Sequence, residues 1–162
     1  MIVVSDTSPL CNLVLVNHLW LLREIYKVVI IPTIVAEELA AANDINIQNI
    51  FTLEWIQTRE LTNPNFATRL CQERGLDIGE AQAIALAIEL KADDLLIDER
   101  LGRQEALQLN LPIIGILGIL VLAKQKGLIS AVKPVMDSLL EEAGFWVSIQ
   151  LYDRILLLSE EQ

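Results

Sequence analysis

Four carboxylates in this chain could do chemistry together. Asp6 follows the apolar run IVVS, Asp98 follows LLI, Glu38 lies in TIVAEELAAA and Glu80 in GEAQAIALA. In open parallel sheets covered by helices, ligands bind beyond the carboxyl ends of the strands, so two aspartates that each end a strand are candidates for one shared site. Gathered carboxylate oxygens suit a hard divalent ion, Mg²⁺ or Mn²⁺. The competing reading is that each aspartate starts a turn or caps the helix that follows it. Position alone does not separate the two.

Helical geometry sorts the glutamates. At about 100° per residue with Ile34 at 0°, Glu38 falls at about 40°, inside the arc of Ile34, Val35 and Leu39, while Glu37 falls at about 300°. A carboxylate on an apolar face needs a cation or hydrogen-bond donors, because unpaired burial is costly. Glu37 reads instead as a solvated acid near a helix start, favoured by the dipole. Glu80 sits opposite the polar face marked by Gln82 and Glu89, among Ala83, Ile84 and Ala87. Asp77-Ile78-Gly79-Glu80 also has the spacing of a capping box with Asp77 as N-cap, so capping and catalysis both stand. Asp93 and Asp94 read as turn residues ahead of a strand, and Glu99 is ambiguous because a strand end shifts easily by a residue.

The elements that must position these acids follow from periodicity. Short apolar runs at 2–5, 27–32, 95–98 and 111–115 read as strands, and FTLEWIQT (51–58) has strand-like alternation. Helical spacing is expected at 10–25, 33–42, 64–75 up to Gly75, from Leu76 to the turn at 91–94, 100–109, 116–126, 130–143 and 150–159, with FWVSI (145–149) extended. Strands alternating with helices point to an α/β fold with a mainly parallel central sheet.

Length and composition narrow the class. A chain of 162 residues suits one domain, 1–162, and its 53% hydrophobic content suggests strands buried on both faces or an apolar surface hidden in an oligomer. The net charge of −10 opposes non-specific attraction to phosphates, but it is compatible with an acidic site neutralised by divalent cations. The longest uncharged stretch, 106–123, carries Gln108, Asn110, Pro112, Gly115 and Gly118, which argues for a buried strand and helix rather than a membrane span. Cys11 and Cys71 lack ligand-like spacing and are expected as buried free thiols of a cytoplasmic protein, with no signal peptide. One histidine, His18, with two scattered cysteines makes no zinc site. Neither a glycine-rich phosphate loop nor a nucleophile elbow occurs.

The four acids occur in an order that resembles the PIN-domain family of metal-dependent nucleases, in particular its small prokaryotic members, of which VapC-type toxins are the best known. The matching segments are VVSDTSPL, IPTIVAEEL, GEAQAIALA and LLIDERLGRQEA. The resemblance implies a three-layer α/β/α sandwich and assigns Asp6, Glu38, Glu80 and Asp98 as the catalytic metal-site acids, with Asp6 and Asp98 as direct ligands and Glu38 and Glu80 binding the metal directly, through water, or positioning the nucleophile. The third acid is commonly Asp in toxins and is Glu80 here, as in a subgroup with a GEA-type motif. Thr7 and Ser8 correspond to the hydroxyls that help orient ligands. Arg100 and Arg103 lie close enough to Asp98 to guide a phosphate, although Arg103 reads equally well as structural. The family further implies a single-stranded RNA substrate, a homodimer and an antitoxin partner. A haloacid dehalogenase-type phosphatase would want DxDx[TV], and Ser8 stands where its second Asp is needed.

Overall fold

Val3, Val29, Ile31 and Leu96 are buried in one apolar layer, while Val4, Ile30, Leu95 and Ile97 are buried in another. Successive side chains of an extended strand point to opposite faces, so this alternation means a sheet covered on both sides. The computed structural model describes residues 1–162. Its strands are β1 (Ile2–Ser5), β2 (Val28–Pro32), β3 (Ile56–Arg59), β4 (Asp94–Leu96) and β5 (Ile113–Ile114). All pair in parallel, in the order β3-β2-β1-β4-β5.

Ten helices complete the fold: α1 (Thr7–Leu15), α2 (Trp20–Tyr26), α3 (Thr33–Ala40), α4 (Ile45–Gln48), α5 (Asn65–Arg74), α6 (Ile78–Leu90), α7 (Arg100–Gln108), α8 (Ile116–Gln125), α9 (Lys133–Glu142) and α10 (Ile149–Leu158). One core layer joins the sheet to α1, α2, α3, α8 and α9, with Ile155 of α10. The other joins it to α5, α6 and α7. This is the three-layer α/β/α sandwich with a parallel sheet expected from the sequence. None of its helices is long and apolar enough to cross a membrane.

The chain winds outward from β1 through β2 to β3, then returns to lay β4 and β5 on the other side of β1. Between β1 and β4 the strand order reverses, and the carboxyl ends there form the crevice in which such sheets bind ligands. Asp6 leaves β1 and Asp98 leaves β4 at that crevice.

Several local expectations are corrected. The continuous helix over 10–25 is two helices, because α1 begins at Thr7 and is stopped by Asn17 in the left-handed region (φ 59°). His18 N–H then donates to the Leu13 carbonyl at 2.8 Å, closing the end of α1. The strand over 51–58 is shorter: Ile50–Thr52 form a 3-10 turn and only Ile56–Arg59 pair with β2. Ile50 is buried while Phe51 and Leu53 are exposed, so the alternation there reflects a turn plugged into the core. β4 ends at Leu96, and residues 145–148 form no strand.

The pair expected in a turn, Asp93 and Asp94, splits. Asp94 is the first residue of β4 and accepts a hydrogen bond from the buried Tyr26 hydroxyl at 2.7 Å. Asp93 accepts from the Ile2 N–H at 2.7 Å. Both carboxylates therefore tie elements together. Cys11 and Cys71 are free thiols as expected, though half-buried rather than buried.

Candidate active site

Asp6 owes its place to the junction of β1 and α1. Its N–H donates to the Leu96 carbonyl at 3.1 Å, so the pairing of β1 with β4 continues through it. It occupies the N-cap position of α1, yet its side chain makes no capping hydrogen bond. The carboxylate is nearly inaccessible, at 4% exposure of the residue. Burial pushes its pKa up to about 7, the Thr7 N–H opposes that in part, and the carboxylates of Asp77, Glu38 and Glu99 push it further up.

Glu38 is half-buried on α3, whereas Glu37 is exposed, as their places on the helix require. The Thr7 hydroxyl donates to Glu38 Oε2 at 2.5 Å. Asp6 and Glu38 face the same spot on α6: a Cβ added to Gly79 would stand 2.8 Å from Glu38 Oε1 and 3.3 Å from Asp6 Oδ1. Glycine at 79 thus leaves room for both carboxylates.

Glu80 divides between the two readings the sequence left open. Asp77 does cap α6, its Oδ1 accepting from the Glu80 N–H at 2.8 Å. The reciprocal half of a capping box is missing: Glu80 is 6% exposed and its Oε2 has no hydrogen-bond partner. Burial pushes Glu80 up to about 8, helped by the carboxylates of Asp77, Asp6 and Glu99. Gly102 of α7 leaves space against it, since a Cβ there would meet Glu80 Oε2 at 3.0 Å.

Asp98 is anchored by α8 and α7. Its Oδ1 accepts from the Ile116 N–H at 3.1 Å, at the first turn of α8. Burial raises it to about 6, with the Ile116 N–H and the Arg103 guanidinium acting in the opposite direction. Arg103 also donates to the Ile97 carbonyl at 2.9 Å, bracing the segment that carries Asp98. Arg100 is exposed and forms no ion pair.

A cleft of about 380 Å³ opens beside Asp98, walled also by Ser8, Asn12, Glu99, Arg100 and the segment from Ala143 to Trp146. Sequence reasoning missed Asn12, although its spacing of four from Ser8 puts both on one face of α1. Asp77 and Glu99 also belong to the acidic group, the first identified only as a cap and the second left ambiguous.

A family model, DUF3368, described as a PIN domain, matches residues 2–161. The chain belongs to the PIN-domain family. No curated protein and no solved structure matches it. PIN domains are generally nucleases, so this chain carries a nuclease fold, and its acids lie where that fold's sheet opens.

PIN nucleases typically use divalent metals, and the donor set here fits a hard ion in kind. It is all carboxylate oxygen, no lysine or arginine neutralises Asp6, Glu38 or Glu80 by an ion pair, and Glu80 Oε2 is buried without a partner. No group of three carboxylates converges closely enough to grip one ion as the side chains stand. Glu38 rests on Thr7 and Asp98 on the Ile116 amide, contacts that keep like charges apart.

Proposed function

We propose that this PIN domain is a Mg²⁺- or Mn²⁺-dependent endoribonuclease that hydrolyses phosphodiester bonds of single-stranded RNA. One observation carries the reading. Asp6 and Glu80 are buried beside Glu38, without counter-charges and with raised pKa values, at the strand reversal of an open parallel sheet. Acids arranged this way cost stability, and such perturbed groups concentrate at functional sites.

Asp6, Glu38 and Glu80 are the residues that would hold the ion, with Asp98 at the neighbouring strand end. A bound ion supplies a water of lowered pKa and offsets charge on the phosphodiester. The chain's own groups do the rest. Thr7 fixes the Glu38 carboxylate, Ser8 lines the cleft, and Arg103 holds the segment bearing Asp98. Arg100, exposed at the rim, would receive a phosphate oxygen.

The same reading makes the chain a cytoplasmic homodimer and the toxin of a pair, restrained by an antitoxin. Exposed Ile149, Leu157 and Leu158 on α10 support a covered surface of that kind. A PIN-fold binding module with little activity is the second reading, favoured by the net charge of −10 and by carboxylates that do not converge on one point.

The test is incubation with single-stranded RNA and Mn²⁺ or Mg²⁺, beside an Asp6→Asn variant. Metal-dependent cleavage that falls by two orders of magnitude or more in the variant is expected. RNA binding without cleavage by the wild type would favour the second reading. Cleavage that survives Asp6→Asn would overturn the site.

A further inference from the structure

Trp146 is 82% exposed, the most exposed large hydrophobic side chain in the protein. Its position is enforced by its neighbours. Phe145 and Val147 pack against the core from either side of it, so the residue between them faces out. The segment is pinned at both ends: the Phe145 N–H donates to the Leu139 carbonyl at 3.0 Å, and the Ser148 hydroxyl caps α10 by accepting from Leu151 N–H at 3.1 Å. The indole is therefore presented to solvent on a braced segment.

It also stands between two cavities. Trp146 and Arg100 wall both the cleft of about 380 Å³ beside Ser8 and Asn12 and a more apolar one of about 510 Å³ floored by Ile114 and Leu117. Asp98 is common to both. An indole face, an unpaired guanidinium and a catalytic-site carboxylate thus share one rim. We propose that Trp146 is the stacking platform for a nucleobase of the RNA substrate next to the scissile phosphate, with Arg100 taking the adjoining phosphate. The assignment rests on the ribonuclease reading above and adds to it the residue that seats the strand. Every base has a π-face, so such a platform binds single strands with little sequence preference. It also supplies affinity that an acidic protein draws only weakly from phosphates.

The test is steady-state cleavage of a short single-stranded RNA by the wild type, Trp146→Ala and Trp146→Phe, with substrates carrying one abasic nucleotide at successive positions. Trp146→Ala is expected to raise KM by about 5- to 150-fold with kcat changed far less, and Trp146→Phe to restore KM to within a few-fold. At one position flanking the cleavage point, removing the base should impose a similar loss on the wild type and no further loss on Trp146→Ala. Wild-type KM in Trp146→Ala, or an abasic penalty equal in both proteins at every position, would overturn the assignment while leaving the nuclease reading intact. A wild type that cleaves no RNA would overturn both readings.

Discussion

Asp6 and Glu80 give the site its most direct physical signature. In the unfolded chain they titrate near 3.8 and 4.5, whereas in the fold burial raises them to about 7 and about 8. Between those values the folded protein holds protons that the unfolded chain releases. Their contribution to stability is therefore full at low pH and lost as pH rises through about 7 and then about 8. The melting temperature of the metal-free protein is expected to fall from pH 5 to pH 8, and thermal scans across that range check it. Asp6→Asn should raise the melting temperature at pH 8 by about 3–8 °C and flatten the pH dependence. Added Mn²⁺ should stabilise the wild type at pH 8 more than at pH 5, because the ion competes with protons for the same oxygens. A melting temperature that is flat with pH and indifferent to Mn²⁺ would contradict the acid cluster as described.

At the scale of elements, the site depends on how closely α6 approaches α3 and the end of β1. Gly79, near the start of α6, is what permits two carboxylates to lie against that helix. In Gly79→Ala the new methyl would meet Glu38 Oε1 at 2.8 Å. The Glu38 carboxylate is the flexible end of a side chain, so it swings away, and the helix gains alanine's better propensity, worth up to about 1 kcal/mol. The variant is expected to melt within about 2 °C of the wild type and to lose at least about tenfold in nuclease activity, since Glu38 is displaced from Thr7 and Asp6. Unchanged activity would remove Glu38 from the site. Much at this scale was legible beforehand. The wheel over 33–42 separated the half-buried Glu38 from the exposed Glu37, because helix phase is local. Phe51 and Leu53 misled the strand assignment over 51–58, because alternation in a short segment does not distinguish a strand from a turn whose apolar side chains stay exposed.

Across the whole molecule, charge bears on how RNA would be held under the proposed ribonuclease reading. The chain has twelve basic residues, but only Arg100 and Arg103 are at the site, and Arg103 is engaged with the Ile97 carbonyl. One or two phosphate contacts imply a slope of log K against log salt of about −0.7 to −1.4 for single-stranded RNA. Titrations of labelled RNA at several salt concentrations measure it directly. A slope steeper than about −3 would mean that basic residues beyond Arg100 and Arg103 contact the strand.

What the sequence by itself determined was which acids were candidates, the apolar faces on which Glu38 and Glu80 lie, and the alternation of strand and helix. Those are encoded by neighbours in the chain, as a period of two in strands and of 3.6 in helices. Glu38 and Glu80 could be singled out by helix phase and Asp6 and Asp98 by their places after apolar strands, and the shared order of the four carried the family resemblance. Tertiary structure alone decided which of them meet. The order β3-β2-β1-β4-β5 lays β4 beside β1 and so brings residues more than 90 positions apart to one crevice. It also decided that Asp77 rather than Glu80 does the capping, that Asp98 leans on the amide of Ile116, and that Asn12 and Trp146 face the same cleft. Periodicity records how deeply a side chain is buried, and only the packed fold settles what it is buried against.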